Sequence, residues 1–242
     1  MLRKINLIII CLAIGPLTCS AIEAIVNGDF ETGTLAGWTS ATQLGSNSTI
    51  AADNTGSTTP YGDPITPDMS GHGSFYAFLG GPGPGATVLY QTFFIPVTPT
   101  SAELNFSVFV DSYAPAAGTG NLDYTQSPNQ LGRVNILAGG SDPFSGPVIG
   151  TFYFGISPGP HPSNYVNFGF DLHFVITSPG QYILRFAEVN NQALLDMGVD
   201  NVSLHYEIPE ANSAILLMFG AALALWVSKA SSARHSVRRN WV

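Results

Sequence analysis

The chain of 242 residues is rich in glycine and proline, poor in charge and acidic overall, with 16 acidic against 8 basic residues. Between Ala24 and Glu207 it holds 14 acidic and 2 basic residues, which gives a formal charge of −12. Nucleic acid and anionic membrane surfaces are therefore poor partners for this stretch, whereas cations and neutral polar ligands suit it better. Both cysteines, Cys11 and Cys19, precede it, so we expect no disulfide to stabilise it.

The first 21 residues have the pattern of a secretory signal peptide. Arg3 and Lys4 give a positive start, residues 5–17 form an apolar stretch, and small residues precede and include Ala21. This pattern predicts residues 1–21 as a signal peptide that is cleaved after Ala21. Lipidation at Cys19 is an alternative, although Leu17 and Thr18 suit a lipobox poorly.

Residues 22–207 are numerous enough for one domain with a sizeable core. Glycine and proline interrupt this stretch throughout, and several segments alternate apolar and polar residues with a period of two, which indicates β-strands. The clearest segments are Val166–Thr177, Glu103–Val110 and Gln181–Glu188, the last with Arg185 on the outward face. Shorter candidate strands cover residues 24–30, 74–79, 88–95, 133–138, 148–154 and 199–206.

About nine strands, each with one polar face, predict an all-β fold: a jelly-roll-like antiparallel sandwich of two sheets, with a closed barrel as the alternative. The segment Gly80–Gly85 (GGPGPG) is expected to be a hairpin connection between two strands. Two long irregular segments, Thr39–Gly73 and Ser112–Gly132, are where ligand-binding side chains are expected on such a scaffold.

Three tyrosines in these loops are the candidate carbohydrate-binding residues. Tyr61 lies in the first loop, and Tyr113 and Tyr124 lie in the second. An exposed aromatic ring can stack on the apolar face of a sugar, while nearby amide and carboxylate groups bond to its hydroxyls. Tyrosines also occur in turns without any such role, and that alternative stays open.

Two short motifs lie at the ends of the domain. Residues 25–31 (IVNGDFE) are followed by Gly37 and Trp38, and residues 199–204 read VDNVSL. These motifs resemble the first and last strands of galactose-binding-like β-sandwiches, which include jelly-roll carbohydrate-binding modules. The resemblance implies that Trp38 packs in the core rather than against a sugar.

The same resemblance implies a structural Ca²⁺ site. Carried over to this sequence, its ligands would be the carboxylates of Glu31 and Asp200, with a backbone carbonyl near Asn27 or Asp29. Two carboxylates brought close together repel unless a cation or a proton lies between them, and Ca²⁺ accepts both carboxylate and carbonyl oxygens. In the alternative, Asp200 caps a turn and Glu31 is solvated.

The segment after the domain, residues 208–242, combines three features. Pro209, Glu210 and Ala211 come first, an apolar stretch that predicts a helix over about 213–228 follows, and four basic residues close the segment. This order resembles the PEP-CTERM sorting signal of Gram-negative bacteria, although Ala211 replaces the second proline of that motif. The resemblance implies recognition by an exosortase, transient anchoring in the membrane and delivery to the cell surface or its matrix. A buried C-terminal helix and a GPI signal are the alternatives.

Sequence motifs of catalysis are missing from residues 22–207, which hold no G-x-S-x-G, no H-E-x-x-H and no cysteine. We therefore predict a non-enzymatic protein. The leading hypothesis is a secreted surface protein whose sandwich binds carbohydrate or exopolysaccharide. A structural matrix protein without a specific small ligand is the second hypothesis, and an enzyme of polysaccharide turnover is the third.

Overall fold

The computed structural model describes residues 21–51, 58–62, 71–118, 120–155, 164–209 and 220. The predicted signal peptide up to residue 20, Glu210, and the predicted helix over 213–228 except for Gly220 lie outside these residues. No helix in the described part of the chain is long and apolar enough to cross a membrane.

Eleven β-strands are formed by the described residues: β1 Ile22–Glu23, β2 Thr39–Gln43, β3 Asn47–Ala51, β4 Tyr76–Gly81, β5 Gly85–Ile95, β6 Ser101–Ser112, β7 Gln130–Ala138, β8 Val148–Gly155, β9 Val166–Asp171, β10 Gly180–Asn190 and β11 Leu195–Glu207. They build two antiparallel sheets. The six-stranded sheet has the order β3-β4-β11-β6-β9, with β1 also paired to β11, and the five-stranded sheet has the order β2-β5-β10-β7-β8. The predicted all-β sandwich of two antiparallel sheets is confirmed.

The hydrophobic core lies between the two sheets. Alternate residues of the long strands point into it, among them Leu104 and Phe106 of β6 and Leu184 and Phe186 of β10. Trp38 is buried in this core, with its ring centroid 5.5 Å from that of Phe30. The prediction that Trp38 serves packing is confirmed.

Two predicted strands are shorter than expected or absent. Residues 24–30 do not form a strand, because Asn27 and Phe30 adopt positive φ angles of 53° and 54°, which an extended backbone excludes. The strand predicted over 166–177 ends at Asp171, where the Asp171 carboxylate accepts the amide of His173 and starts a turn. Phe174, an apolar residue of the alternating segment 166–177 and therefore expected on its core-facing side, is 88% exposed in that turn.

Two connections also differ from expectation. The segment Gly80–Gly85 is not a hairpin, because β4 belongs to the six-stranded sheet and β5 to the five-stranded sheet, so this segment carries the chain from one sheet to the other. The first long irregular segment, 39–73, contains β2 and β3. Neither strand shows a strong apolar alternation, since β2 (TSATQ) is largely polar and lies at a sheet edge.

Candidate functional site

A cleft of about 500 Å³ opens on the outer face of the five-stranded sheet. This volume falls within the roughly 300–1,000 Å³ of typical ligand pockets. Arg133 of β7 and Arg185 of β10 lie in it, and residues 120–123 and 144–146 line it from two loops, with Gln43 also present. The site therefore combines a rigid sheet with two loop walls.

The first wall is held in place by two asparagines. Asn129, which is 1% exposed, donates through Nδ2 to the carbonyls of Asn121 at 3.2 Å and Asp123 at 2.9 Å. Asn191 donates through Nδ2 to the carbonyls of Tyr124 and Gln126, both at 2.8 Å. These side-chain amides donate to loop carbonyls that take no part in strand pairing. The wall therefore keeps a defined shape without regular secondary structure.

The second wall is a tight turn around Asp142. Its Oδ1 accepts hydrogen bonds from the amides of Phe144 and Ser145, at 2.9 and 2.8 Å, and from the Ser145 hydroxyl. These bonds, the Ser145 amide foremost, hold the pKa of Asp142 below its usual value. The turn places the half-buried ring of Phe144 against the cleft.

Arg185 is fixed on the sheet, and this corrects the expectation that it faces solvent. It does point away from the core, but the second wall covers it, so that it is only 1% exposed. Its Nη1 donates to the carbonyl of Pro143 at 2.7 Å, and its Nη2 donates to Oδ1 of Asn135. Burial, and then the charge of Arg133, lower the pKa of Arg185 to about 10.

Arg133 is held differently from Arg185. Its guanidinium carbon lies 5.7 Å from the centroid of the Phe154 ring, a cation–π arrangement. Its Nε is buried without a hydrogen-bond partner, and within the described part of the chain its guanidinium forms no ion pair or hydrogen bond. Burial lowers the pKa of Arg133 as well. The cleft thus presents one fixed and one available guanidinium.

The three predicted tyrosines lie in different surroundings. Tyr61 is 41% exposed and packs on Phe78, with ring centroids 5.8 Å apart, at the outer face of the six-stranded sheet. Tyr113 is 55% exposed just after β6. Tyr124 follows the first wall of the cleft and packs against the apolar cluster beside it, which includes Leu122. Their assignment as sugar platforms stays a prediction.

The predicted calcium ligands both reach one segment, residues 71–75. Glu31 accepts the amides of Ser74 and Phe75 through Oε1, at 2.7 and 2.9 Å. Asp200, fully buried, has its Oδ2 3.3 Å from Nδ1 of His72. Both carboxylates therefore contact residues of one short segment, residues 71–75.

Whether Ca²⁺ fits there depends on main-chain oxygens. The part of the chain that the structure describes holds no group of three or more Asp, Glu, His or Cys side chains placed to bind a metal. Asp200 Oδ1 accepts the Asn201 amide at 2.7 Å, and the Asn27 carbonyl accepts Nε1 of Trp38 at 3.0 Å. Ca²⁺ takes six to eight oxygens, so backbone carbonyls would have to complete the set. The calcium site stays a prediction.

Comparison with known proteins gives no family assignment: no protein-family model matches the sequence, and neither does any curated protein. Among solved structures, the carbohydrate-binding module TmCBM61, determined with β-1,4-galactotriose, is 11% identical with a TM-score of 0.47, covering 75% of this chain and 97% of the module. The CBM22-1 xylan-binding domain of Paenibacillus barcinonensis Xyn10C is 12% identical with a TM-score of 0.42, covering 81% of this chain and 99% of that domain.

A phage protein is similar to the same degree. The enzymatically active domain of tailspike protein 4 from bacteriophage CBA120 is 13% identical with a TM-score of 0.45 over 76% of this chain. The match spans only 21% of the tailspike chain. At these identities and TM-scores the comparisons describe a general likeness, and no ligand or activity is transferred from them.

No motif in the sequence predicted the cleft, but the positions of its two arginines could have done so. Arg133 and Arg185 are the two basic residues between Ala24 and Glu207, and both fall in alternating segments at outward positions. What the sequence lacks is the pairing of β7 with β10, in which Arg185 lies opposite Asn135 and Arg133 opposite Ala187. That register makes the two arginines neighbours on one face.

Proposed function

We propose that this chain is a secreted bacterial surface protein whose sandwich binds carbohydrate in the cleft between residues 120–123 and 144–146. The observation that supports this most directly is the chemistry of the cleft. The Phe144 ring offers an apolar surface, while Asn121, Asp123 and Arg133 offer hydrogen-bonding groups around it. Sugars present both kinds of surface, and ligand sites of this type combine an apolar platform with a few polar groups.

Targeting is the second part of the proposal. The signal-peptide pattern of residues 1–21 supports export. The order of Pro209, Glu210, an apolar stretch and a basic end supports sorting by an exosortase-type enzyme, with the membrane as a transient partner. The surface or extracellular matrix of a Gram-negative bacterium is then the site of action, and exopolysaccharide is the carbohydrate available there.

A panel of soluble polysaccharides in affinity electrophoresis tests binding, and Phe144→Ala tests its location. If the ring packs on a sugar, its loss weakens binding by about five-fold, since an aromatic contact contributes on the order of 1 kcal/mol. Phe174→Ala is the matched control, because Phe174 is 88% exposed and lies outside the cleft.

Two outcomes would contradict the proposal in different ways. Loss of binding in Tyr113→Ala but not in Phe144→Ala would move the site to the loop tyrosines. Absence of binding to every polysaccharide would favour a structural matrix protein without a specific small ligand.

A further inference from the structure

The cleft concentrates the positive charge of an otherwise acidic domain. Both basic residues between Ala24 and Glu207, Arg133 and Arg185, lie in it. The charge of Arg133 is among the causes that lower the pKa of Arg185, so the two guanidiniums are close enough to repel each other. Placing two like charges in a partly buried site costs free energy unless an opposite charge joins them.

No carboxylate of the described chain joins them at ion-pair distance. The two ion pairs of the described residues involve His72 and His205, not an arginine. The acids of the two walls accept hydrogen bonds within their own loops: Asp123 Oδ1 accepts the amide and hydroxyl of Thr125, at 3.0 and 2.6 Å, and Asp142 Oδ1 accepts three donors of its own turn. These bonds lower the pKa of both acids. The charge of Asp142 also favours the charged form of Arg185, although the two groups form no ion pair, and Arg133 receives no such contribution.

The two arginines differ in what they can offer a ligand. Arg185 already bonds to Asn135, which in turn donates to the Thr151 hydroxyl at 3.0 Å, so it is a fixed charge beneath the cleft. Arg133 has no acceptor among the described residues, and its stacking against Phe154 limits its movement. An ordered guanidinium without an acceptor is a site for a planar anion, because its fork of N–H groups matches a carboxylate.

We propose that the cleft selects sugars that carry a carboxylate group, that is, uronic-acid units of an acidic glycan, and that Arg133 binds the carboxylate. This inference rests on the proposed function and names its ligand class. The carboxylate supplies the acceptor that Arg133 lacks among the described residues, Arg185 strengthens its binding from below, and the Phe144 ring packs against the sugar that carries it.

The direct test measures the affinity of the purified protein for oligogalacturonate and for the same oligomer after methyl esterification. Esterification removes the charge and keeps the sugar. The free acid is therefore expected to bind at least about ten-fold more tightly than the ester, because charge-assisted hydrogen bonds contribute about 1.5–3 kcal/mol. Affinity for the acid should also fall with added salt.

Variants of Arg133 assign the effect to the cleft. Arg133→Met keeps most of the side-chain length without the charge, and it should lower affinity for the acid about ten-fold more than it lowers affinity for the ester. Thr98→Glu is the matched control: it changes the net charge by the same amount at an exposed position in the β5–β6 loop, outside the cleft. Asp123→Asn should strengthen binding of the acid.

Each remaining result has a distinct meaning. Equal affinity for acid and ester would overturn the carboxylate inference and leave carbohydrate binding standing. Tighter binding of a sulfated glycan of equal length would also overturn it, because the site would then respond to charge alone. If neither oligomer nor any neutral glycan binds, the proposed function itself fails.

Discussion

The outer faces of the two sheets differ in whether their buried polar side chains have partners. On the six-stranded sheet, Asp196 accepts the Thr59 hydroxyl at 2.5 Å, and Asp200 faces His72. On the five-stranded sheet, Arg185 is bonded in the same manner, but Arg133 has no acceptor among the described residues. The difference separates polar groups that hold loops in place from one that is available to a ligand.

The acids of the six-stranded sheet form part of a packed surface. Tyr165 stacks on His72 with ring centroids 4.1 Å apart, and Tyr76 meets both Tyr165 and Phe109 edge to face. Burial, followed by the charge of Asp200, raises the pKa of Tyr165 well above its usual value. This face therefore depends on its polar contacts for stability, whereas we propose that the cleft uses one of its polar groups, Arg133, for binding.

The largest effect is expected from Asp200→Ala on the six-stranded sheet. The change removes a buried carboxylate and takes a partner from both His72 and the Asn201 amide. Removing one member of such a buried pair costs about 3–5 kcal/mol, so the free energy of unfolding should fall by about that amount in urea denaturation. Asp171→Ala, which removes an exposed turn-capping carboxylate, should cost less than about 1.5 kcal/mol. Equal losses in both variants would refute the assigned role of this face.

The next effect is a pH dependence that originates between the sheets. Burial raises the pKa of Glu188 from 4.5 to about 8. The folded chain therefore keeps a proton that the unfolded chain releases, so the stability contributed by this group is complete below about pH 4.5 and is lost as the pH rises through about 8. Thermal midpoints should fall from pH 5 to pH 9, by an amount equivalent to a few kcal/mol at about 1.4 kcal/mol per pKa unit.

A neutral isostere isolates this contribution. Glu188→Gln cannot ionise, so its midpoint should vary much less across the same pH range than that of the unmodified protein. Glu103→Gln, at an exposed position, should retain the original slope. An unchanged slope in Glu188→Gln would show that other groups cause the pH dependence.

Calcium is the third test, and it concerns the predicted ligands Glu31 and Asp200. If they bind Ca²⁺, millimolar CaCl₂ should raise the thermal midpoint relative to EDTA, with about 2.7 kcal/mol gained at a hundred-fold excess over Kd. Glu31→Gln should abolish the shift while still accepting the amides of Ser74 and Phe75. Glu103→Gln should leave the shift intact. No shift in the unmodified protein would contradict the calcium site and leave Asp200 with a structural role, through its contacts with His72 and the Asn201 amide.

The sequence predicted the fold best where long strands alternate. In β6 and β10 the apolar residues at every second position set both the strand and its buried face, because a period of two fixes side-chain direction. It failed where a local contact overrides that pattern. Leu172 and Ile176 continue the alternation and are buried, yet a turn separates them, since both Val175 and Ile176 donate to the Leu172 carbonyl.

The cleft was less predictable than the fold because its parts are distant in sequence. Its first wall is held by Asn129 and Asn191, and its second by Asp142, each of which is an ordinary loop residue in the sequence. The aromatic residues of the long loops predicted Tyr61 and Tyr113 as sugar platforms, and both lie outside the cleft. Strand pairing, not residue type, brings the site together.

Arg133→Met is expected to change the free energy of unfolding least of all these variants. It therefore contrasts most sharply with Asp200→Ala. Arg133 makes no hydrogen bond or ion pair with the described residues, so the variant loses only its stacking on Phe154, and it gains relief from the charge of Arg185. These opposing terms should leave the free energy of unfolding within about 0.5 kcal/mol of the original. Denaturation of both proteins in urea measures this directly. A loss of 2 kcal/mol or more would mean that Arg133 supports the fold as Asp200 does, and the distinction between the two faces would no longer hold.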